Sequence, residues 1–195
     1  MDPDRLQRVL ARIDQLNSKD PNTELVDGIS RPRELAYSQR LTEWVLRLDP
    51  NASETLRIAA RGQHVQRWTV PREQYERSRR GYLRWREVLK AFHAQTVTEI
   101  MQPEGCSEEM IQRVRRIILK KSLGTDPDAQ TIEDALCLVF LETQFADLRR
   151  KEPEEKMLEI LRKTWQKMSE RARDEALRLP LAPEDRAFLL RSCQR

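Results

Sequence analysis

Apolar residues recur at intervals of three and four along nearly the whole chain, and this periodicity constrains the fold more than any other feature of the sequence. Leu6, Val9, Leu10, Ile13 and Leu16 would share one face of a first helix from about Pro3 to Leu16. A second helix is expected from about Arg33 to Leu48. A third follows the DPNAS turn, with Ser53 as its N-cap, and carries Leu56, Ala59, Ala60, Gln63, His64 and Arg67 on one face up to Pro71. Tyr82 to Met101 reads as one long helix, and Glu108 to Lys121 as the next. Helices over about Pro153 to Leu177 and Pro183 to Ser192 close the chain as packing elements.

Strand-like alternation is not sustained anywhere. The 195 residues include only five glycines, and 35 % are charged, which suits a helix-rich chain with few tight turns. No linker or repeat divides the sequence. The expectation is an all-α, single-domain helical bundle over 1–195, with its core in about 33–148.

The most apolar run, Ala135 to Leu141, belongs to TIEDALCLVFLETQFADL and reads as a central, enclosed helix. At seven residues it is too short to span a bilayer. The N-terminal MDPDRLQRVL lacks the apolar region of a secretory signal. Cys106, Cys137 and Cys193 form no CxxC pair, and an odd number of cysteines fits neither a disulfide framework nor a zinc knuckle. The expected setting is a reducing cytoplasm, without a membrane partner.

Two constellations could carry chemistry. His64 and His93, the only histidines, both fall on apolar helix faces, and Asp134 heads the enclosed run. Two imidazoles and a carboxylate converging inside a bundle would hold a divalent metal that polarises a phosphoryl oxygen and activates water. Each residue also has a plainer role: a core histidine, or a capping box in which Asp134 serves the Thr131 backbone. The second constellation is basic and aromatic. Between Arg61 and Lys90 there are nine lysines and arginines against three glutamates, on a chain of net charge +4. They interleave with Trp68, Tyr75, Tyr82 and Trp85, a composition suited to phosphates and stacked bases but equally to a solvated face. Arg61, Arg67, Arg79, Arg80, Arg86 and Lys120 are the candidate phosphate contacts. The signatures GxGxxG, P-loop, GxSxG and HExxH are absent.

The runs QRLTEWVLRL, AARGQHVQRWTVPREQY, GYLRWREVLKAFHA and TIEDALCLVFLETQF resemble an uncharacterised microbial family, domain-of-unknown-function family 4202. Its members are often labelled glutamyl-tRNA synthetase. The chain has neither an HIGH-like nor a KMSKS-like signature, and KMSER at 167–171 matches the latter only superficially. The helix order is also similar to the HD-domain metal-dependent phosphohydrolases. That resemblance sets Gln63 at the superfamily's His, His64 at its Asp, His93 at an additional His and Asp134 at the closing Asp. Tyr37 or Ser38 stands where a first His is expected, and Lys120 or Lys121 where a later one often sits.

The resemblance implies an HD-like bundle in which His64, His93 and Asp134 hold a divalent metal. Gln63 would orient a ligand or water, and Arg61, Arg67 and Lys120 would contact phosphate. The function expected from it is a divergent metal-dependent phosphohydrolase acting on a nucleotide or nucleic acid. The alternatives are a non-catalytic RNA- or nucleotide-binding module and a structural interaction domain.

Overall fold

The computed structural model describes residues 3–121 and 124–193. Of the stretches read above, Met1, Asp2 and the Ser122-Leu123 step before the enclosed helix lie outside the described residues. The fold is all-α and forms a single domain.

Ten α-helices and one short hairpin follow each other in the described residues: α1 (Pro3–Asn17), β1 (Thr23–Val26), β2 (Ile29–Pro32), α2 (Arg33–Leu48), α3 (Glu54–Gly62), α4 (Arg79–Met101), α5 (Glu108–Ile118), α6 (Pro127–Thr143), α7 (Phe145–Lys151), α8 (Glu154–Lys167), α9 (Glu170–Arg178) and α10 (Pro183–Cys193). Among them no helix is long and apolar enough to cross a membrane.

Short polar side chains fix where the helices begin. Ser53, Ser78, Ser107 and Ser169 each accept a hydrogen bond from the backbone N–H three residues on, starting α3, α4, α5 and α9. Asp126 caps α6, and Pro127 occupies its first turn, where a missing N–H costs nothing. The enclosed helix therefore starts four residues before Thr131. Asp134 lies in its second turn rather than in a capping box.

The hairpin was not expected, although LVDGIS carries its signal. Asp27 and Gly28 both have positive φ, 51° and 78°, as a two-residue type I′ turn demands. The turn pairs Val26 with Ile29 and Thr23 with Pro32. Asp20, in the turn before the hairpin, accepts from Asn22 N–H and from Glu34 N–H, and so ties the hairpin to the start of α2.

The core runs through the whole chain. Val9 and Ile13 of α1, Leu41 and Val45 of α2, Leu138 and Leu141 of α6 and Ala172 of α9 belong to one buried cluster. α6 packs on α2, α8 and α9, while α3 packs on α1, α2 and α5. Gly62 permits a close approach of α3 to α4: a Cβ there would lie 2.4 Å from Val97 Cγ2. The C-terminal helices close against this body, with Phe145 beside Phe188 at 6.3 Å between ring centroids.

Candidate functional site: a basic cavity between α2, α4, α6 and α8

The feature that shapes the site is an early stop. The third helix ends at Gly62 and does not continue toward Pro71. Gln63 and His64 lie in a turn that closes with Gln66 in the left-handed region, at φ 51°. Asn17, fully buried at the end of α1, holds this turn. Its Oδ1 accepts from Gln66 N–H at 2.9 Å, and its Nδ2 donates to the Glu34 carbonyl. The Gln-His pair therefore does not sit on a continuous helical face. It is folded into a wall where α1, α2 and α4 meet.

His93, on α4, is tied to the same turn. Its Nδ1 lies 2.9 Å from the Val65 carbonyl oxygen. A carbonyl only accepts, so Nδ1 carries the proton and Nε2 presents a bare lone pair. That Nε2 is buried and has no hydrogen-bond partner among the described residues, and the same holds for Gln63 Nε2. Burial, then the neighbouring His64, pushes His93 down to about 3, so the ring is neutral.

His64 stacks on Tyr37 with ring centroids 4.2 Å apart, and lies 6.0 Å from the His93 ring. Burial first, and then Arg67, Arg86 and Lys120, hold it far below its ordinary value. Its Nδ1 is 3.4 Å from Glu34 Oε2. Burial pushes the Glu34 carboxyl up to about 7 despite Arg67 nearby.

Tyr37, Gln63, His64 and His93 border a cavity of about 340 Å³. Arg67, Arg86, Lys90, Lys120 and Lys167 line it, and Glu133 is its one carboxylate. Glu133 receives Lys120 Nζ at 2.5 Å and Lys167 Nζ at 3.3 Å. Burial raises the Glu133 carboxyl, but the two lysines overcome that and hold it below its ordinary value. Lys120 projects from a residue with φ 55°, just beyond α5. Arg67 lies over the Trp85 ring at 4.8 Å, and Trp85 Nε1 donates to the Val70 carbonyl. Lys90 bonds Glu87. Arg86 has neither a hydrogen bond nor an ion pair among the described residues. A second depression shares Tyr37, His64, Arg67 and Gln144 with this cavity.

Of the residues singled out from sequence, Gln63, His64, His93, Arg67, Arg86 and Lys120 meet at the cavity. Asp134 does not line it. Its Oδ1 accepts from Ser169 N–H and Gln130 Nε2, and its Oδ2 accepts from Ser169 Oγ at 2.6 Å. Among the described residues, no three His, Cys, Asp or Glu side chains are placed to hold a metal ion. The donor set His64, His93 and Asp134 is therefore not assembled. Arg61 turns away, donating to both oxygens of Asp14 and to Thr42 Oγ1. Arg79 and Arg80 are exposed at the start of α4, and neither lines the cavity.

Lys90 belongs to the basic stretch read from the sequence, whereas Glu34, Glu133 and Lys167 were not singled out there. Glu133 was legible in principle: Glu133, Leu136, Cys137, Phe140 and Gln144 all line the cavity at helical spacing. Asp134, one residue on, falls with Leu138, Leu141 and Phe145 on the buried face.

Fold and site together define an all-α single-domain protein with a recessed basic cavity. The chain belongs to the family described as domain of unknown function (DUF4202), whose model matches residues 7–189. No curated protein and no solved structure matches it.

Proposed function

We propose that this protein binds a small phosphorylated ligand in the cavity between α2, α4, α6 and α8. The observation that carries the reading is a charge imbalance: among the described residues, five cationic side chains face one carboxylate, and Arg86 has no hydrogen-bond or ion-pair partner. A guanidinium in a recessed site gains most from a phosphate, which it grips through two parallel hydrogen bonds. The volume of about 340 Å³ suits a small molecule and excludes duplex nucleic acid.

A metal-dependent phosphohydrolase would need a further ligand beside His64 and His93. With Asp134 engaged by Ser169 and Gln130, binding without a metal is the better-supported reading. RNA binding along the exposed arginines Arg77, Arg79, Arg80 and Arg84 would use a different surface. The free thiols of Cys106, Cys137 and Cys193 support a reducing compartment.

Calorimetric titration with mononucleotides, sugar phosphates and inorganic phosphate tests the proposal. Affinity should fall with salt, show no dependence on added Mn²⁺ or Zn²⁺, and drop at least about tenfold in Arg86→Met. The Arg79→Ala/Arg80→Ala double variant should leave it unchanged. Equal affinity in Arg86→Met and the parent would sink the reading.

A further inference from the structure

The basic side chains account for one end of a ligand and leave the other wall of the cavity unexplained. That wall carries two buried polar side chains whose terminal nitrogens have no hydrogen-bond partner. Gln63 is 6 % exposed and His93 is 3 % exposed. Buried polar atoms are nearly always paired, and an unpaired one at a cavity wall marks a place where a ligand or water completes the bond. The chemistry each can accept is fixed. His93 Nε2 is a lone pair, because Nδ1 donates to the Val65 carbonyl. A fully ionised phosphate has no proton to offer it. Gln63 Nε2 is a donor. The wall thus offers one acceptor and one donor, and it is complementary to a group that both donates and accepts.

Helix geometry separates the two ends. Arg86, Lys90 and His93 line the cavity from a single face of α4. Seven residues, or two turns, span about 10 Å between Arg86 and His93. A nucleoside monophosphate separates its phosphate from the far edge of its base by a comparable length. That edge presents N–H donors beside ring or carbonyl acceptors. A sugar phosphate is shorter, and inorganic phosphate has no second end.

Resting on the phosphate-binding reading above, we infer that the ligand is a nucleoside monophosphate, with its phosphate at Arg86 and the edge of its base read by His93 Nε2 and Gln63 Nε2. The inference adds a recognition role for these two residues that needs neither a metal nor catalysis.

The test compares the four ribonucleoside monophosphates, ribose 5-phosphate and inorganic phosphate on the parent protein, His93→Asn, Gln63→Met and Arg86→Met. His93→Asn keeps an amide donor for the Val65 carbonyl and removes the Nε2 lone pair. Gln63→Met keeps the length of the side chain and removes the donor without adding charge. At least one nucleotide should bind ten or more times more tightly than ribose 5-phosphate. That margin should collapse in His93→Asn and in Gln63→Met, while affinity for inorganic phosphate stays as in the parent. Unchanged thermal melting of at least one of the two variants identifies the loss as recognition rather than unfolding. If ribose 5-phosphate matches every nucleotide, or the margin survives both substitutions, the base-edge inference is overturned while the Arg86 site stands. If no phosphorylated compound binds, both fall.

Discussion

Glu34 is a carboxyl placed where its charged form is poorly solvated. It is 7 % exposed, its Oε2 has no hydrogen-bond partner among the described residues, and the Arg67 guanidinium is no closer than 3.9 Å to its Oε1. Burial raises it from 4.5 to about 7, so the folded state holds this proton more tightly than the unfolded chain does. Its contribution to stability is therefore complete below about pH 4.5 and is lost as pH rises through about 7. The gap corresponds to about 3 kcal/mol. Glu34→Gln should gain on the parent by up to about that amount between pH 5 and pH 8 in urea titrations, and a pH-independent difference would contradict the assignment. His93 works in the opposite direction. Its folded value is depressed to about 3, so its contribution is present above pH 6.5 and fades as pH falls toward 3. Residue chemistry of this kind was only partly legible beforehand. The two histidines and Gln63 stood out because they interrupt apolar periodicity. Glu34 interrupts it as well, one turn before Ser38 and two before Leu41, but charged residues at helix starts are common enough to pass unnoticed.

Among the elements, α6 shows how a rotation of one residue decides a role. Successive side chains on a helix differ by about 100° in direction. Glu133 faces the cavity and its lysines, while Asp134 faces the α8–α9 junction, where it receives Ser169 N–H and Oγ. Ser169 in turn caps α9 through Ala172 N–H. Asp134 is thus a clasp that orients the C-terminal helices on the core. Asp134→Ala leaves buried donors without an acceptor and should cost about 2–4 kcal/mol. It should also speed amide exchange in α9 while leaving phosphate-ligand affinity unchanged. A loss of ligand affinity with normal stability would instead return Asp134 to the site. Helix lengths followed from periodicity where a capping serine or a proline marks the end. The end of α3 escaped that logic. Gly62 weakens the helix locally, but the left-handed Gln66 that turns the chain is held by Asn17, which is remote in sequence.

For the whole molecule, one buried cluster extends from α1 to α10, with α6 at its centre. Leu138 is fully buried there, and Leu138→Ala should cost about 2–5 kcal/mol through lost burial and a residual cavity. Leu25, 76 % exposed on the hairpin, should tolerate the same change within about 0.5 kcal/mol. Denaturant midpoints for the two variants compare them directly, and similar losses would contradict a core centred on α6. By itself the sequence determined the all-α class, most helix starts, the enclosed character of Ala135–Leu141 and the enrichment of positive charge between Arg61 and Lys90. Those properties depend on local spacing and on caps within a few residues. Only the tertiary structure decided which charges face each other: Lys120 and Lys167 around Glu133, Arg61 diverted to Asp14, and Asp134 drawn to Ser169. The partners in those contacts lie 13 to 47 residues apart, and the direction of each side chain depends on how the helices are rotated against one another.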